Sequence, residues 1–146
     1  MPNTKPVGVA FSDPELVSGT TITGATISNS TITSGTLTGA SLSVDVAKPA
    51  AAGSTRADAT ALTASFSWVT GADATKGVVL PAPTAGRLVV LKNDDTANAV
   101  LKVYAPGSAK INGVAGTTAF SMAAKTACWF VAYDTTDWFS VPLVAS

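Results

Sequence analysis

The side chains that could perform acid or base chemistry in this chain are few. There is no histidine among its 146 residues, which removes the commonest general base and the Ser-His-Asp and Cys-His arrangements. Two carboxylate pairs remain, Asp94 with Asp95 and Asp134 with Asp137. Both stand in turn-like sequences, where an aspartate side chain accepts hydrogen bonds from the local backbone. We therefore predict no catalytic residues and no enzyme activity; a polysaccharide-degrading enzyme, the alternative, would have to use one of these pairs.

The same turns predict neither a metal nor a cofactor site. NDDTAN and DTTDW lack the oxygen ligands, about six or more, that a strong calcium site needs. The glycine-bearing GVAG and PAPTAG sequences precede no helix, so they are interpreted as turns and not as phosphate-binding loops. The single cysteine, Cys128, excludes an intrachain disulfide, and its apolar neighbours predict a small core residue.

Composition narrows the class of protein and its partners. Nine basic and nine acidic residues cancel, so no field would gather nucleic acid or an anionic membrane surface. No stretch approaches the ~20 apolar residues of a membrane span, and the first residues lack a secretory signal, so synthesis in the cytoplasm is expected. Charged residues are only 12%, and a weakly charged surface without net charge favours association of copies.

The chain divides into four segments. Residues 1–19 carry three prolines and predict an extended arm, and residues 20–44 form a ladder of small hydroxyl residues. Residues 45–58, DVAKPAAAGSTRAD, predict a linker, and residues 59–146 predict a compact β-domain. An all-β fold is expected throughout, because Thr, Ala, Ser, Gly and Val dominate the composition.

The ladder repeats a large apolar residue at every fifth position. In a flat strand this odd spacing would place successive apolar side chains on opposite faces, so a plain hairpin is excluded. Two geometries remain: a square solenoid similar to pentapeptide-repeat proteins, and an intertwined, trimeric β-helix-like ladder. Five steps supply little more than one solenoid coil, whereas repeat stacks need about three, so we favour a homotrimer. The predicted trimer-interface residues are Ile22, Ile27, Ile32, Leu37 and Leu42.

The β-domain reads as about eight short strands separated by turns, which favours a small antiparallel β-sandwich or jelly-roll-like barrel. The predicted strands are 62–69, 77–80, 87–92, 99–105, 110–112, 117–122, 126–133 and 138–141. Strand 126–133 is apolar on both faces, so at least one sheet is expected to be covered on each side. The aromatic residues Trp68, Trp129, Trp138 and Phe139 exceed what so small a core must hold, and part of this surface is predicted to contact other subunits.

These stretches resemble tailed-bacteriophage virion proteins. The ladder SGTTITGATISNSTITSGTLTGASLS after the leader PVGVAFSDPEL is similar to segments of trimeric fibres, head fibres and capsid decoration (cement) proteins. The order GVVLP, GRLVVLKN, LKVYAP and INGVAG, followed by an aromatic strand and a closing tryptophan, resembles the small β-domain of head-fibre proteins. The resemblance implies a homotrimer on the virion.

Size favours the capsid over the tail, because a receptor-binding fibre needs length and this ladder spans at most ~80 Å. We therefore expect a cement protein at threefold or quasi-threefold sites of the outer capsid surface. The major capsid protein is its expected partner, contacted by the apolar arm residues Val7, Val9, Phe11 and Leu16. The alternative is a head-fibre, tail-fibre or spike protein that binds host glycans through exposed aromatic residues such as Trp138 and Tyr133.

Overall fold

The computed structural model describes residues 43–141, which form eleven β-strands and no helix. The predicted all-β class is confirmed. The predicted trimer-interface residues, the predicted capsid-contact residues and nearly all of the ladder lie outside the described residues. The strands are β1 (Val46–Ala47), β2 (Thr60–Ala61), β3 (Phe66–Val69), β4 (Gly77–Val79), β5 (Leu88–Asn93), β6 (Leu101–Tyr104), β7 (Lys110–Ile111), β8 (Val114–Ala115), β9 (Phe120–Met122), β10 (Ala127–Ala132) and β11 (Asp137–Val141).

The first six strands stack in a β-solenoid-like manner. They alternate between two sheets, so that β1, β3 and β5 are neighbours in one sheet and β2, β4 and β6 are neighbours in the other. Each neighbouring pair is parallel, and Val46 aligns with Phe66, which in turn aligns with Val90. The chain therefore returns to the same sheet after one strand in the opposite sheet, and each return adds a parallel strand.

The remaining five strands close the two sheets. β10 lies antiparallel to β5, and β9 lies antiparallel to β6. In the larger sheet, β11 lies beside β10 and antiparallel to it. β7 lies parallel to β11 on its other side, and β8 pairs with β7 at the edge. The result is a seven-stranded sheet in the order β1-β3-β5-β10-β11-β7-β8 and a four-stranded sheet in the order β2-β4-β6-β9.

The prediction of an antiparallel sandwich or jelly-roll is not confirmed, because five of the nine strand pairings are parallel. Alternating side chains give the same sequence pattern in parallel and antiparallel strands. Direction depends on where each connection crosses, and turn sequences such as PAPTAG do not carry that information. The positions of the strands along the chain were therefore predicted more accurately than the pairing between strands.

The core lies between the two sheets. It is built from the inward-facing residues of alternating strands, as in β5, where Val89, Leu91 and Asn93 are buried while Leu88, Val90 and Lys92 are half-buried on the other face. The largest fully buried side chains are Trp138, Phe130, Leu80, Leu91 and Leu101. The predicted core position of Cys128 is confirmed, since this residue is buried within the same cluster.

Residues 45–58, predicted as a linker, contain a strand and contribute to the core. β1 pairs with β3, and Ala51 is buried in the core. The Tyr104 hydroxyl donates a hydrogen bond to the Ser54 carbonyl oxygen at 3.1 Å, so this segment covers part of the four-stranded sheet on the side away from the core. At Gly53 an added side chain would collide with the backbone of Asp58, so the chain can approach this closely only with a glycine there.

Two short stretches differ from their predictions. Of the predicted strand 62–69, only Phe66–Val69 forms a strand, β3, and residues 62–65 connect it to β2, which ends at Ala61. The GVAG sequence, predicted as a turn, contains β8, which pairs with β7 through a hairpin turn at Asn112 and Gly113. Both turn residues have positive φ, 53° and 77°, as a type I′ hairpin turn requires.

Candidate interaction surface

The outer face of the seven-stranded sheet carries a continuous row of apolar residues. Residues aligned on adjacent strands point to the same side of a sheet, and the register aligns one apolar residue from each of five neighbouring strands. We name this set the outer row: Val46, Phe66, Val90, Trp129 and Val141. Because its members come from β1, β3, β5, β10 and β11, it crosses most of the sheet.

A second row and one further residue extend this apolar surface. On one side of the outer row, Leu88, Val131 and Phe139 are aligned and half-buried. Beyond them, the exposed ring of Tyr133 packs edge-on against Phe139, with ring centroids 4.7 Å apart. We call the outer row, this second row and Tyr133 together the outer face. It has no charged member.

The outer face remains open to solvent in the single chain. Val46 is 70% exposed, Tyr133 65% and Trp129 50%. Such residues on a soluble protein are common singly, but an aligned group of them marks an interaction surface. The expectation that a sheet is covered on both faces is therefore met by the described residues only on the core side here.

The row on the other side of the outer row carries the nearest charges. The Lys92 ammonium lies 4.0 Å from the centre of the Trp68 ring, within the range of a cation–π contact. Lys92 also forms an ion pair with Asp94 at 3.0 Å, and hydrogen bonding by Lys92, then by Trp68, lowers the pKa of Asp94. A groove of about 240 Å³ runs between Trp68 and the outer row. The Lys92 charge is thus neutralised locally. The Lys48 ammonium lies 5.6 Å from the centre of the same ring, so this border of the outer face carries two lysines and one aspartate.

The predicted aromatic surface is only partly placed as expected. Trp68, Trp129 and Phe139 do lie on the outer side of the sheet, whereas Trp138 is wholly buried in the core. A buried indole cannot stack on a sugar, so of the two residues named for the glycan-binding alternative Trp138 is lost and Tyr133 is retained. Sequence reasoning missed Val46, which it had assigned to a linker, and Phe66 and Val90, whose alternation within their strands was the available signal.

The two carboxylate pairs are used by turns, as predicted. The Asp134 carboxylate accepts hydrogen bonds from the backbone N–H groups of Thr136 and Asp137 at 2.7 and 2.8 Å. The buried Asp95 carboxylate accepts one from the backbone N–H of Ala99 at 2.7 Å. Asp94 is held by Lys92. These hydrogen bonds and this ion pair stabilise the turns in which the carboxylates lie.

Acid is expected to destabilise the domain through its aspartates. In five of them a hydrogen bond from a nearby residue is the largest cause of a pKa below the usual 3.8; they are Asp45, Asp58, Asp73, Asp94 and Asp134. A group whose pKa is lower in the folded state contributes stability above its unfolded pKa and loses it as the pH falls toward the folded value. We therefore expect the melting temperature to change little between about pH 7 and 5 and to fall below about pH 4.

Differential scanning fluorimetry across this pH range tests that expectation. The matched variant is Asp134→Asn, which keeps an amide oxygen as acceptor but removes the titrating charge. Its melting temperature should fall less steeply in acid than that of the wild type. An unchanged melting temperature down to about pH 2 would show that the lowered pKa values do not contribute to folding.

Neither the thiol nor the acidic groups of the described part of the chain form a recognisable chemical centre. Burial raises the pKa of the Cys128 thiol, which keeps it protonated and weakly nucleophilic. Within residues 43–141, no three side chains of His, Cys, Asp or Glu lie close enough together to hold a metal ion. The same residues include no helix that is long and apolar enough to cross a membrane.

No family model, curated protein or solved structure matches this chain. Fold and surface together define a β-rich structural fold, with a solenoid-like stack of parallel strands and one apolar sheet face open to solvent.

Proposed function

We propose that this chain is a structural virion protein: a homotrimer that decorates the outer capsid surface of a tailed phage at threefold or quasi-threefold sites and stabilises the head. The observation that carries the proposal is the outer face, an aligned apolar surface on an otherwise well-packed β-domain. A domain with such a face is suited to binding other protein surfaces. The resemblance of the ladder and the β-domain to head-fibre and decoration proteins supplies the class of assembly.

Each segment has a distinct part in this proposal. The arms, residues 1–17, bind across seams between major capsid protein subunits through Val7, Val9, Phe11 and Leu16. The ladder joins three chains at one axis through its repeated Ile and Leu residues. Three linked arms bind far more tightly than one, because attachment of the first raises the effective concentration of the others. Neighbouring capsid subunits are thereby cross-linked against internal pressure.

The buried and turn-forming polar groups of the described domain are consistent with a structural role. The side chains of three of these groups form hydrogen bonds with backbone groups that lie near them in space: Asn93, Asp95 and Asp134. Such contacts stiffen loops and leave recognition to surfaces. A rigid domain at the end of each chain would then project from the capsid or cap the attachment point.

Deleting residues 1–17 tests the arm. We expect the truncated chain to remain a soluble trimer in analytical ultracentrifugation and to lose binding to undecorated heads in a co-sedimentation assay, because the arm supplies the capsid contact. The matched control is full-length protein carrying Val114→Ala, which changes an exposed apolar residue of the domain that is not part of the outer face and should still bind heads. Undiminished binding by the truncated trimer would refute the proposed role of the arm in binding the capsid.

Quantitative mass spectrometry of purified virions tests the location. A decoration protein should be present in a fixed, high ratio to the major capsid protein and should remain with heads after tails are removed. Recovery of only a few copies, associated with tails, would instead support the fibre or spike alternative.

A further inference from the structure

We infer that the outer face is the contact between copies of this chain, so that the seven-stranded sheet of each copy is covered by a sister subunit. This inference rests on the proposed homotrimer and names the partner of its apolar surface: a second copy, and not the capsid. Four observations carry it: the size of the face, its composition, its shape and its position along the chain.

The outer face is large enough for a subunit contact. A buried aromatic side chain covers about 150–250 Å², so the exposed parts of Trp129 and Tyr133, with Trp68 beside them, present roughly 300 Å². The exposed valines and the half-buried second row add to this. The face is therefore at least comparable with the largest apolar patch of a typical monomer, about 300–600 Å², which often marks a contact site.

Its composition favours a permanent contact between identical chains. Charged residues are depleted and apolar residues enriched at the centre of homo-oligomer interfaces, whereas transient interfaces are about as polar as the rest of the surface. The outer face has no charged member. Of the two lysines beside Trp68 at its border, Lys92 is paired with Asp94 and Lys48 is exposed over the Trp68 ring. Copies can meet through the apolar rows while these lysines stay at the solvent-exposed rim, so that no unpaired charge is buried, which would be costly.

Its shape also suits self-association. The face belongs to adjacent strands of one sheet and is formed by aligned rows of side chains. In a trimer with threefold symmetry the same face of each copy turns toward one axis. The aligned rows of the three copies can then interdigitate around that axis, as side chains do between facing sheets.

The position of the face along the chain points to the same partner. β1 contributes Val46, the most exposed member of the outer row, and Val46 follows Leu42, the last of the repeated large apolar residues of the ladder, by only four positions. Four residues span at most about 14 Å. In a homotrimer joined by the ladder, this short connection keeps the outer rows of the sister chains at a high effective concentration, which favours contact between them.

A site-specific photocrosslinker tests the inference in the full-length chain. Val46 is replaced by p-benzoylphenylalanine, and the matched control carries the same group at Val114. Val114 is also exposed and apolar and lies in the same sheet, but it aligns through Ile111 with the buried Trp138, on the opposite side. On irradiation without capsids, we expect covalent dimers and trimers from the Val46 probe and monomers from the Val114 probe.

Tryptophan quenching in the same free protein gives a second reading. Comparison of wild type with Trp129→Phe isolates the contribution of Trp129. If a sister chain covers the outer face, acrylamide should quench Trp129 several-fold less in the oligomer than in a diluted, dissociated sample. Free quenching of Trp129 within an intact oligomer would overturn the inference, because the face would then be open for another partner.

The outcomes separate the inference from the proposed function. A trimer in which the Val46 probe reacts only within its own chain, or not at all, overturns the inference but leaves the trimeric decoration protein standing. A chain that sediments as a monomer overturns both. A crosslinked trimer that is absent from virions supports the inference and refutes the decoration role.

Discussion

Replacing Trp138 with alanine should destabilise the β-domain by about 3–5 kcal/mol, the range observed when a buried aromatic side chain is truncated. Trp138 is the largest wholly buried side chain of the described residues. It lies in β11 between Ala132 of β10 and Ile111 of β7. Since small proteins are stable by only about 5–15 kcal/mol, the variant should melt far below the wild type or fail to accumulate as folded protein.

Two matched variants separate core packing from other roles of this tryptophan. Trp138→Phe should cost much less, because within the described residues the indole N–H has no hydrogen-bond partner to lose. Trp129→Ala, which removes a half-exposed tryptophan from the neighbouring strand, should affect the stability of the single chain less than Trp138→Ala. Thermal and denaturant unfolding measure all three. A Trp138→Ala protein with near wild-type stability would mean that the side chain lies on the surface, where the glycan-binding alternative places it.

Replacing Asn93 with alanine should cost about 3–5 kcal/mol, although it removes only one amide group. Asn93 is wholly buried at the end of β5. Its side-chain nitrogen donates to the carbonyl oxygens of Ala99 at 3.0 Å and Met122 at 3.1 Å, and its oxygen accepts from the N–H of Asp95 at 3.2 Å. Alanine would leave all three backbone groups without these partners, and each unsatisfied buried group costs about 1–3 kcal/mol.

The contacts of Asn93 also join the two sheets, because β5 belongs to the seven-stranded sheet and Met122 to the four-stranded one. Asn98→Gly is the matched control. Asn98 is exposed in the same loop and has a φ of 63°, which glycine adopts without strain. The free energy of unfolding should therefore change by less than about 1 kcal/mol in the control. Equal stability of the two variants would show that the Asn93 contacts do not hold the sheets together.

The strands themselves were largely predictable from the sequence. Alternating apolar residues between turn sequences located β5, β6, β10 and β11 to within a residue or two, because the two-residue period of a strand is a local property. The turn interpretation of Asp134 and Asp137 was likewise predictable, since short-range hydrogen bonds to backbone depend only on neighbouring residues. β1 was missed because a strand of two residues is too short to show alternation between apolar and polar positions, and the segment around it is rich in Ala, Gly and Pro.

The arrangement of the strands was not predictable in the same way. Val46, Phe66 and Val90 are separated by whole turns of the chain, and no local pattern shows that they align. The parallel stacking arises because the chain crosses to the opposite sheet before it returns, and this depends on core packing between sheets. The expectation of antiparallel neighbours followed from short connections, which here lead to the other sheet.

The candidate interaction surface shows the same division. The sequence indicated more aromatic residues than one small core requires, and alternation in 126–133 separated Cys128 and Phe130 from Trp129 and Val131. It did not show that Trp138 belongs to the core while Trp129 belongs to the outer row, because both stand in strands with apolar residues on each face. Only the pairing of β10 with β11 and of β11 with β7 decides which side of each strand is enclosed.

By itself, the sequence determined the all-β class, the approximate positions of most strands, the turn roles of the aspartates and the core position of Cys128. These features depend on residue type and on neighbours a few positions away. The tertiary structure decided the solenoid-like stacking, the inclusion of residues 45–58 in the domain and the alignment of five strands into one apolar row. Those features depend on contacts between residues distant in sequence, where the burial of one face against the other sheet selects a single register.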